Sequence, residues 1–514
     1  MSISPRKLLA GAAVNVLGFA AQLVVSFAMA PVVLHALGKT RYGVWSFVES
    51  LLAYLLLFDL GVGASLVRFV PRFVASNDVD ALNRVYSACL TLFLAIGAGI
   101  AVVGCGLVAA LGGHLDVPTE LASEAQIVLF VSIVNFALTL AFSVFPAVLD
   151  GLHAFAAKSL IRTSFLLARI PAVLLAIGTA RPLLNLILVY AATNLIESLT
   201  LVAVVYRQLP GLRFTPRAVD RATIRDVRGY SLDAFLAMIA GRLSFQTDAF
   251  VIVGVLGPAA ITPFALANRL VDMSKSALRQ ATTTLTPAAS ALQAADNLAA
   301  VRTYFLHGSR LALYAVLPIQ AGLYLLGRPF LQLWLRADFD ESSVPVLYVL
   351  AATLSLTVAQ SAASRILYGL GNIRLFARMA LVEGVANVFL SVVLVNSLGI
   401  VGVAWGTTIP HAVFCIFAVA TVLRRLDIGI AEYVWRATML PSAAAAVLTA
   451  LWLTQSAPTT WGEFVKVGCI GTVPYALIIA MAEWRCRANL GASPRCNSSR
   501  VSRPNAAALV TRMS

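Results

Sequence analysis

A chain of 514 residues that is 60% hydrophobic and only 12% charged, with a mean hydropathy of +0.87, lies far from the composition of a water-soluble domain, where about 25% of residues are charged. A soluble enzyme is excluded on that ground, and so is a nucleic-acid-binding module despite the net charge of +15. The basic residues sit in short loops between apolar runs, which is how membrane topology is set rather than how a binding face is built.

Crossing roughly 30 Å of hydrocarbon takes about 20 apolar residues. Windows of that length predict an all-α integral membrane protein of about fourteen transmembrane helices, over 10–34, 44–66, 86–110, 125–148, 160–180, 183–205, 231–255, 261–288, 305–326, 345–367, 377–396, 400–423, 437–454 and 465–483. The first of these is a span and not a cleaved signal. Its apolar run from Leu8 to Leu34 is too long, and Pro31 directly follows the cleavage-like Ala28-Met29-Ala30. Cys89, Cys105, Cys415 and Cys469 lie inside apolar runs and Cys486 and Cys496 in the tail, with no metal or disulfide spacing.

Alternate loops carry 24 Lys and Arg against 5 in the loops of the other side. This bias places both termini in the cytoplasm of a multi-pass inner-membrane protein. The polar stretch 206–230, with six arginines, Pro210 and Pro216, reads as a basic cytoplasmic linker. It divides an N-terminal six-helix lobe (1–205) from a second lobe (231–425), followed by helices 13 and 14 (426–484) and a basic cytoplasmic tail (485–514) expected to be disordered. The lobes share an internal repeat. Leu37-Gly38 maps onto Leu256-Gly257 and Glu49-Ser50-Leu51 onto Asn268-Arg269-Leu270 at an offset of 219, while Asp78, Arg84 and Gly151-Leu152 map onto Asp296, Arg302 and Gly369-Leu370 at 218. Six spans separate equivalent helices, so the lobes are expected to be related by an axis along the membrane normal.

No P-loop, HExxH or Gly-x-Ser-x-Gly motif is present, so neither enzymatic catalysis nor a cofactor nor a metal centre is expected. The five histidines are scattered. The informative residues are ionisable groups inside spans, which by default face a bundle interior or a water-filled cavity. The acidic set is Glu49, Asp59, Glu197, Asp233, Asp248, Asp272 and Glu383; the basic set is Arg169, Arg242, Arg269, Lys275, Arg279, Arg310 and Arg365. Seven against seven leaves the sign of the cavity open.

In the eighth span Arg269, Asp272, Ser276 and Arg279 share one helical face. The stripe either lines a substrate cavity or is structural, with Arg269 paired to Asp272 while Lys275 and Arg279 snorkel to the interface. Glu49 and Arg269 form a candidate gate pair, since Glu49 is the repeat equivalent of Asn268. Asp59 precedes Gly61 and Gly63, which thin the helix and allow a bend, and Asp248 is a further cavity candidate. Pro146, Pro171, Pro263, Pro287, Pro318 and Pro410 offer bend points.

The motifs Leu37-Gly38 with Tyr42-Gly43-Val44-Trp45, Asp59-Leu60-Gly61, Asp248 through Leu256-Gly257 to Ala267-Asn268-Arg269-Leu270, Leu333-Trp334, Tyr368-Gly369-Leu370-Gly371 and Gly399-Ile400-Val401-Gly402-Val403-Ala404 follow one another in order over residues 1 to about 425. In this the chain resembles the polysaccharide (Wzx-type) flippases of the multidrug/oligosaccharidyl-lipid/polysaccharide exporter superfamily. The resemblance implies two MATE-like, pseudo-symmetric six-helix lobes in a V around a central cavity, plus two C-terminal helices. It implies an isoprenoid pyrophosphate-linked oligosaccharide as substrate, turned across the bilayer at the expense of an ion gradient, with a polysaccharide polymerase and assembly proteins as partners. Arginine suits pyrophosphate because its planar donors bind oxygens bidentately, and Arg242, Arg269 and Arg279 are the expected contacts. Two alternatives stand beside this: a cation-coupled multidrug exporter of the same superfamily, and a membrane-embedded glycosyltransferase or ligase, which would need a large outer loop that the span map lacks.

Overall fold

The computed structural model describes residues 5–111, 119–219, 223, 225, 247–282, 298–369 and 373–491, and every regular element among them is helical. Ten of these helices are long and apolar enough to cross a membrane, and a bent pair supplies an eleventh. The sequence reading reaches fourteen by dividing the first 43-residue segment at Gly38 and adding 231–255 and 261–288. The first of those two is described only as the short α8 (Thr247–Leu256). The second, α9 (Pro258–Thr282), is too polar to meet the hydropathy criterion.

Helix α1 runs from Pro5 to Leu55 with one break, at Gly38, whose φ of 72° folds it into two spans. Its repeat equivalent Gly257 has φ 82° and separates α8 from α9 in the same way; an L side chain is strained at either position. A short 3₁₀ turn, Leu56–Asp59, follows α1, and Leu60 and Gly61 are left-handed (φ 51° and 74°) before α2 (Val62–Ala75). The bend expected beside Asp59 is therefore present. Asp59 Oδ1 accepts the Gly63 N–H at 3.3 Å, satisfying one of the orphan donors that a new helix exposes.

The first half continues with α3 (Val79–Leu111), α4 (Thr119–Phe142), α5 (Val144–Gly151), α6 (Phe155–Ile177) and α7 (Pro182–Gln208). These helices pack chiefly on one another, α1 on α6, α3 on α4, and α4 and α6 on α7. The second half comprises α8, α9, α10 (Leu298–Leu325), α11 (Gly327–Leu335), α12 (Ser343–Ala351), α13 (Leu354–Gly369), α14 (Ile373–Leu398) and α15 (Ile400–Arg425), again packed mainly among themselves. Side chains such as Val102, Leu175 and Phe389 point outward at 74%, 77% and 66% exposure. Such a surface is unfavourable in water and fits hydrocarbon, where apolar contact with lipid has no such cost.

After α16 (Ile430–Tyr433) and a π-helical turn, α17 (Met439–Leu453) and α18 (Trp461–Gly491) dock on α10. Pro318 has no N–H for the carbonyl of Tyr314, and the Tyr475 hydroxyl donates to that oxygen at 2.8 Å. The two C-terminal helices are thus tied to α10 where its own ladder is interrupted.

The halves meet at the end of the molecule marked by Gly38 and Gly257. A Cβ on Gly43 would lie 1.8 Å from the Pro258 carbonyl oxygen, so only glycine permits this approach. Thr262 Oγ1 donates to the Lys39 carbonyl at 2.7 Å. Further out, His35 Nδ1 lies 2.9 Å from Asp338 Oδ2 and Lys39 Nζ 2.7 Å from Asp340 Oδ2. Phe27 stacks on Trp334 with centroids 4.6 Å apart.

Candidate functional site

Behind that seal lie three adjoining cavities. The first, about 370 Å³, runs between α1, α8 and α9 and is lined by Tyr42, Ser46, Glu49, Asp248, Asn268, Arg269, Asp272 and Ser276 among others. The second, about 260 Å³, shares Gln22, Ser26, Tyr42, Glu49 and Arg269 with the first and adds Trp45, Arg169 and Tyr190. The third, about 530 Å³, shares Gln22, Leu166 and Arg169 with the second and reaches Lys158, Arg162, Asn194 and Glu197.

Charge is unevenly distributed among the described residues that line these cavities. The first cavity holds three carboxylates, Glu49, Asp248 and Asp272, and one cation, Arg269. The third holds three cations, Lys158, Arg162 and Arg169, and one carboxylate, Glu197. Lys158, Arg162 and Arg169 recur at spacings of four and seven along α6, which puts them on one face. The lumen is therefore bipolar, acidic against α8 and α9 and basic against α6.

Glu49 is exposed although Trp45 and Val48 on the same helix are buried, so its carboxylate opens into the lumen. It interacts electrostatically with Arg269, without the close contact that a paired gate would show. Arg269 instead donates from Nη1 to the Tyr42 hydroxyl at 3.1 Å. Asp272, expected as its structural partner, accepts from Asn268 Nδ2 at 3.0 Å and lies 3.8 Å from Lys275 Nζ. Lys275 itself is buried rather than snorkelling. Spacings of four and three along α9 bring Asp272 within reach of both Asn268 and Lys275, leaving Arg269 to cross to the other half.

Asp248 lines the first cavity but its carboxylate is engaged, with Thr407 Oγ1 at 2.8 and 2.9 Å from its two oxygens. Asn387 Nδ2 donates to that hydroxyl at 3.0 Å. One turn away, Glu383 Oε1 and His411 Nδ1 are 2.6 Å apart, and His411 Nε2 is 2.9 Å from Thr357 Oγ1. Asp248, Asn387, Thr407, Glu383 and His411 are all buried, so the second half carries a contiguous polar network inside its core.

The family model described as "Polysaccharide biosynthesis protein" matches residues 8–293. The chain belongs to the polysaccharide biosynthesis protein family. Among solved structures it is similar to the lipid II flippase MurJ in an inward closed conformation (TM-score 0.73, 14% identity, covering 94% of this chain and 100% of that one). It is also similar to an inward-facing multidrug resistance MATE family transporter of the MOP superfamily (TM-score 0.68, 15% identity, 82% and 98%). A MOP superfamily transporter from Pyrococcus furiosus gives a TM-score of 0.60 at 16% identity, covering 82% and 95%. A search of curated proteins returns no match. The fold is that of these solved transporters, and among the described residues ten helices, or eleven with the bent pair, are long and apolar enough for a multi-pass membrane protein.

Within this polysaccharide biosynthesis protein the residues expected at the site divide into three groups. Glu49, Asp248, Arg269 and Asp272 meet in the first cavity, whereas Asp59 lies at the α1–α2 break and not among the lining residues. Arg279 sits on α9 with its side chain outside the described set, and Arg242 lies outside the described residues altogether, as do Pro287 and Asp296. The sequence reading leaves Lys158 and Arg162 out of the intramembrane charges, includes Arg169 only as a member of the basic set, and treats His411 as one of five scattered histidines. The four- and seven-residue spacing on α6 was the available signal for the first three; nothing in the local sequence brings His411 to Glu383.

Proposed function

We propose that this protein flips an isoprenoid pyrophosphate-linked oligosaccharide from the cytoplasmic to the outer leaflet of the inner membrane, for surface polysaccharide biosynthesis. The observation that carries this reading is the bipolar lumen. On the basic wall Lys158 is bonded to Asp150 and Arg162 lies 3.8 Å from Glu197, so Arg169 is the cation there best placed to meet a diphosphate, and the adjoining cavity with Ser26, Ser46, Asn268 and three carboxylates suits sugar hydroxyls, which need acceptors as well as donors. The apolar tail needs no cavity and can stay in lipid between helices.

In this reading residues 1–205 and 231–425 are the two lobes, both termini are cytoplasmic, and the sealed end at Gly38 and Gly257 faces outward, so the lumen is loaded from the cytoplasm. Alternating access then requires the seal to part, which the interlobe pairs at Asp338 and Asp340 oppose and a bound anion spanning the lumen favours. The ionisable groups buried in the second half, Asp248, Glu383 and His411, support an ion gradient as the driving force, because ionisable side chains inside a membrane bundle mark ion pathways. Assembly proteins and a polymerase belong to the same reading as receivers of the product.

The acidic first cavity favours one second reading, export of cationic compounds. Reconstitution separates the two: proteoliposomes loaded with a short-chain isoprenoid diphosphate disaccharide, and parallel vesicles with a cationic dye, are assayed for movement across the bilayer. Movement of the lipid-linked sugar alone supports the flippase; movement of the dye alone supports the exporter.

A further inference from the structure

The turn that follows α11 holds a backbone conformation that its sequence does not favour. Arg336 has φ 51° and ψ −117°, the dihedrals of the first central residue of a type II′ turn, a position that glycine fills because a Cβ there crowds the chain. At Gly399, where φ 59° and ψ −140° lie close to these values, the chain does place glycine. Leu60 also has a positive φ, but its ψ of 19° puts it in the left-handed helical region, which L residues reach more readily.

The Arg336 side chain is exposed, so packing of the guanidinium does not hold the strain. The backbone is held instead from both sides. The Arg336 N–H donates to the Gln332 carbonyl at the end of α11, and the Arg336 carbonyl accepts from the Phe339 N–H at 3.2 Å. Beyond these bonds the segment is pinned to the first half of the protein. Trp334 is buried and stacks on Phe27, Asp338 Oδ2 lies 2.9 Å from His35 Nδ1, and Asp340 Oδ2 lies 2.7 Å from Lys39 Nζ. The contacts that close the seal therefore bracket the strained residue on both sides.

A strained dihedral persists only where its surroundings over-determine it. Here those surroundings include the other half of the protein, and parting of the seal removes them. We propose that Arg336 is a conformational spring in the seal. Its Cβ strain is present while α11 and the turn are docked on α1 and is relieved when they separate, so the closed state is held less tightly than its interlobe contacts alone would hold it. The spring rests on the flippase reading only for the need of the seal to open, and it acts without substrate.

The test measures the width of the seal in proteoliposomes by double electron–electron resonance. Nitroxides are placed at Ser123→Cys, exposed near the start of α4 beside the Arg41–Glu124 pair, and at Gln332→Cys, exposed on α11, with Cys105, Cys469, Cys486 and Cys496 replaced by serine. Asp338→Asn with Asp340→Asn removes both interlobe ion pairs and supplies the background in which the open state is populated. In that background Arg336→Gly, which removes the Cβ, is expected to lower the ratio of open to closed protein by roughly tenfold. Arg336→Ala removes the guanidinium but keeps the Cβ, and should leave the ratio unchanged. Ala337→Gly controls for added chain flexibility and should not close the seal. Equal effects of glycine and alanine at position 336 would assign the shift to the charge and overturn the spring. An unchanged ratio in Arg336→Gly with a raised melting temperature would overturn it as well, since the strain would then be the same in both states, and so would a seal that stays shut in every variant. The distances are measured without any lipid-linked sugar, so a failure of the flippase reading leaves this result standing on its own.

Discussion

The indole N–H of Trp334 donates to the carbonyl oxygen of Phe27 at 3.1 Å, an oxygen that a regular helix would have satisfied from the N–H of residue 31. That residue is proline. The helix thus leaves one acceptor free, and the other half of the protein docks on it with the ring that also stacks on Phe27. A net hydrogen bond of this kind contributes about 1 kcal/mol.

Pro31→Ala should therefore loosen the seal between the halves by returning an intrahelical donor that competes with Trp334. Trp334→Phe should lower stability by about 1 kcal/mol in the natural protein and by clearly less in the Pro31→Ala background. Thermal unfolding of the four proteins in detergent measures the coupling. Purely additive effects would show that the orphan carbonyl plays no part.

The outer pair Lys39–Asp340 makes the seal sensitive to acid. Burial pushes the Asp340 carboxyl up, but the Lys39 ammonium and two hydrogen bonds from Ser342 outweigh it and hold the group below the usual carboxylate range. A depressed value means that the contribution is complete above the unfolded Asp value of about 3.9 and is lost as pH falls through the lower folded value. Stability should be flat through neutral pH and decline below about pH 4, and Asp340→Asn should remove part of that decline. An equal decline in the variant would assign it to other groups.

Topology is open to cysteine labelling, with the reporter chosen by exposure. Ser343 is fully buried, so a reagent would miss it for reasons unrelated to sidedness, whereas Glu341 is 59% exposed on the same loop. Glu341→Cys should react with a membrane-impermeant maleimide in intact cells, and Gln208→Cys, exposed at the end of α7, only after permeabilisation. The reverse pattern would invert the orientation.

The buried network predicts a larger effect. Removing one partner of the Glu383–His411 pair leaves an uncompensated polar group in the core, at a cost of about 3–5 kcal/mol where the survivor stays charged. His411→Phe should be strongly destabilising and Glu383→Gln with His411→Phe less so than the sum of the single changes. Strict additivity would mean that the two side chains do not share a bond in the folded protein.

The sequence disclosed what depends on local physics. The spans follow from runs of apolar residues, the break at Gly61 from a flexible glycine beside a carboxylate, and the repeated turns from Gly38 and Gly257, which share a left-handed conformation. What it did not disclose is the pairing between distant helices. Arg269 reaches Tyr42 across 227 positions and Asp248 meets Thr407 across 159, contacts set by how the halves close rather than by any pattern along either helix. The sign of each cavity is unreadable for the same reason, since seven acids and seven bases cancel in a count along the chain, whereas Glu49, Asp248 and Asp272 meet in one cavity and Arg169 joins Lys158 and Arg162 in another.

The central claim is that a lipid-linked diphosphate crosses through this bipolar lumen, and its most direct test is flipping of a fluorescent isoprenoid diphosphate sugar in proteoliposomes containing equal amounts of folded protein. The natural protein should flip it, Arg269→Lys should flip it slowly at an unchanged melting temperature, because the charge remains while the planar fork is lost, and Arg269→Ala should be slower still. Normal flipping by both variants, with only their melting temperatures lowered, would contradict the account and return Arg269 to a packing role beside Tyr42.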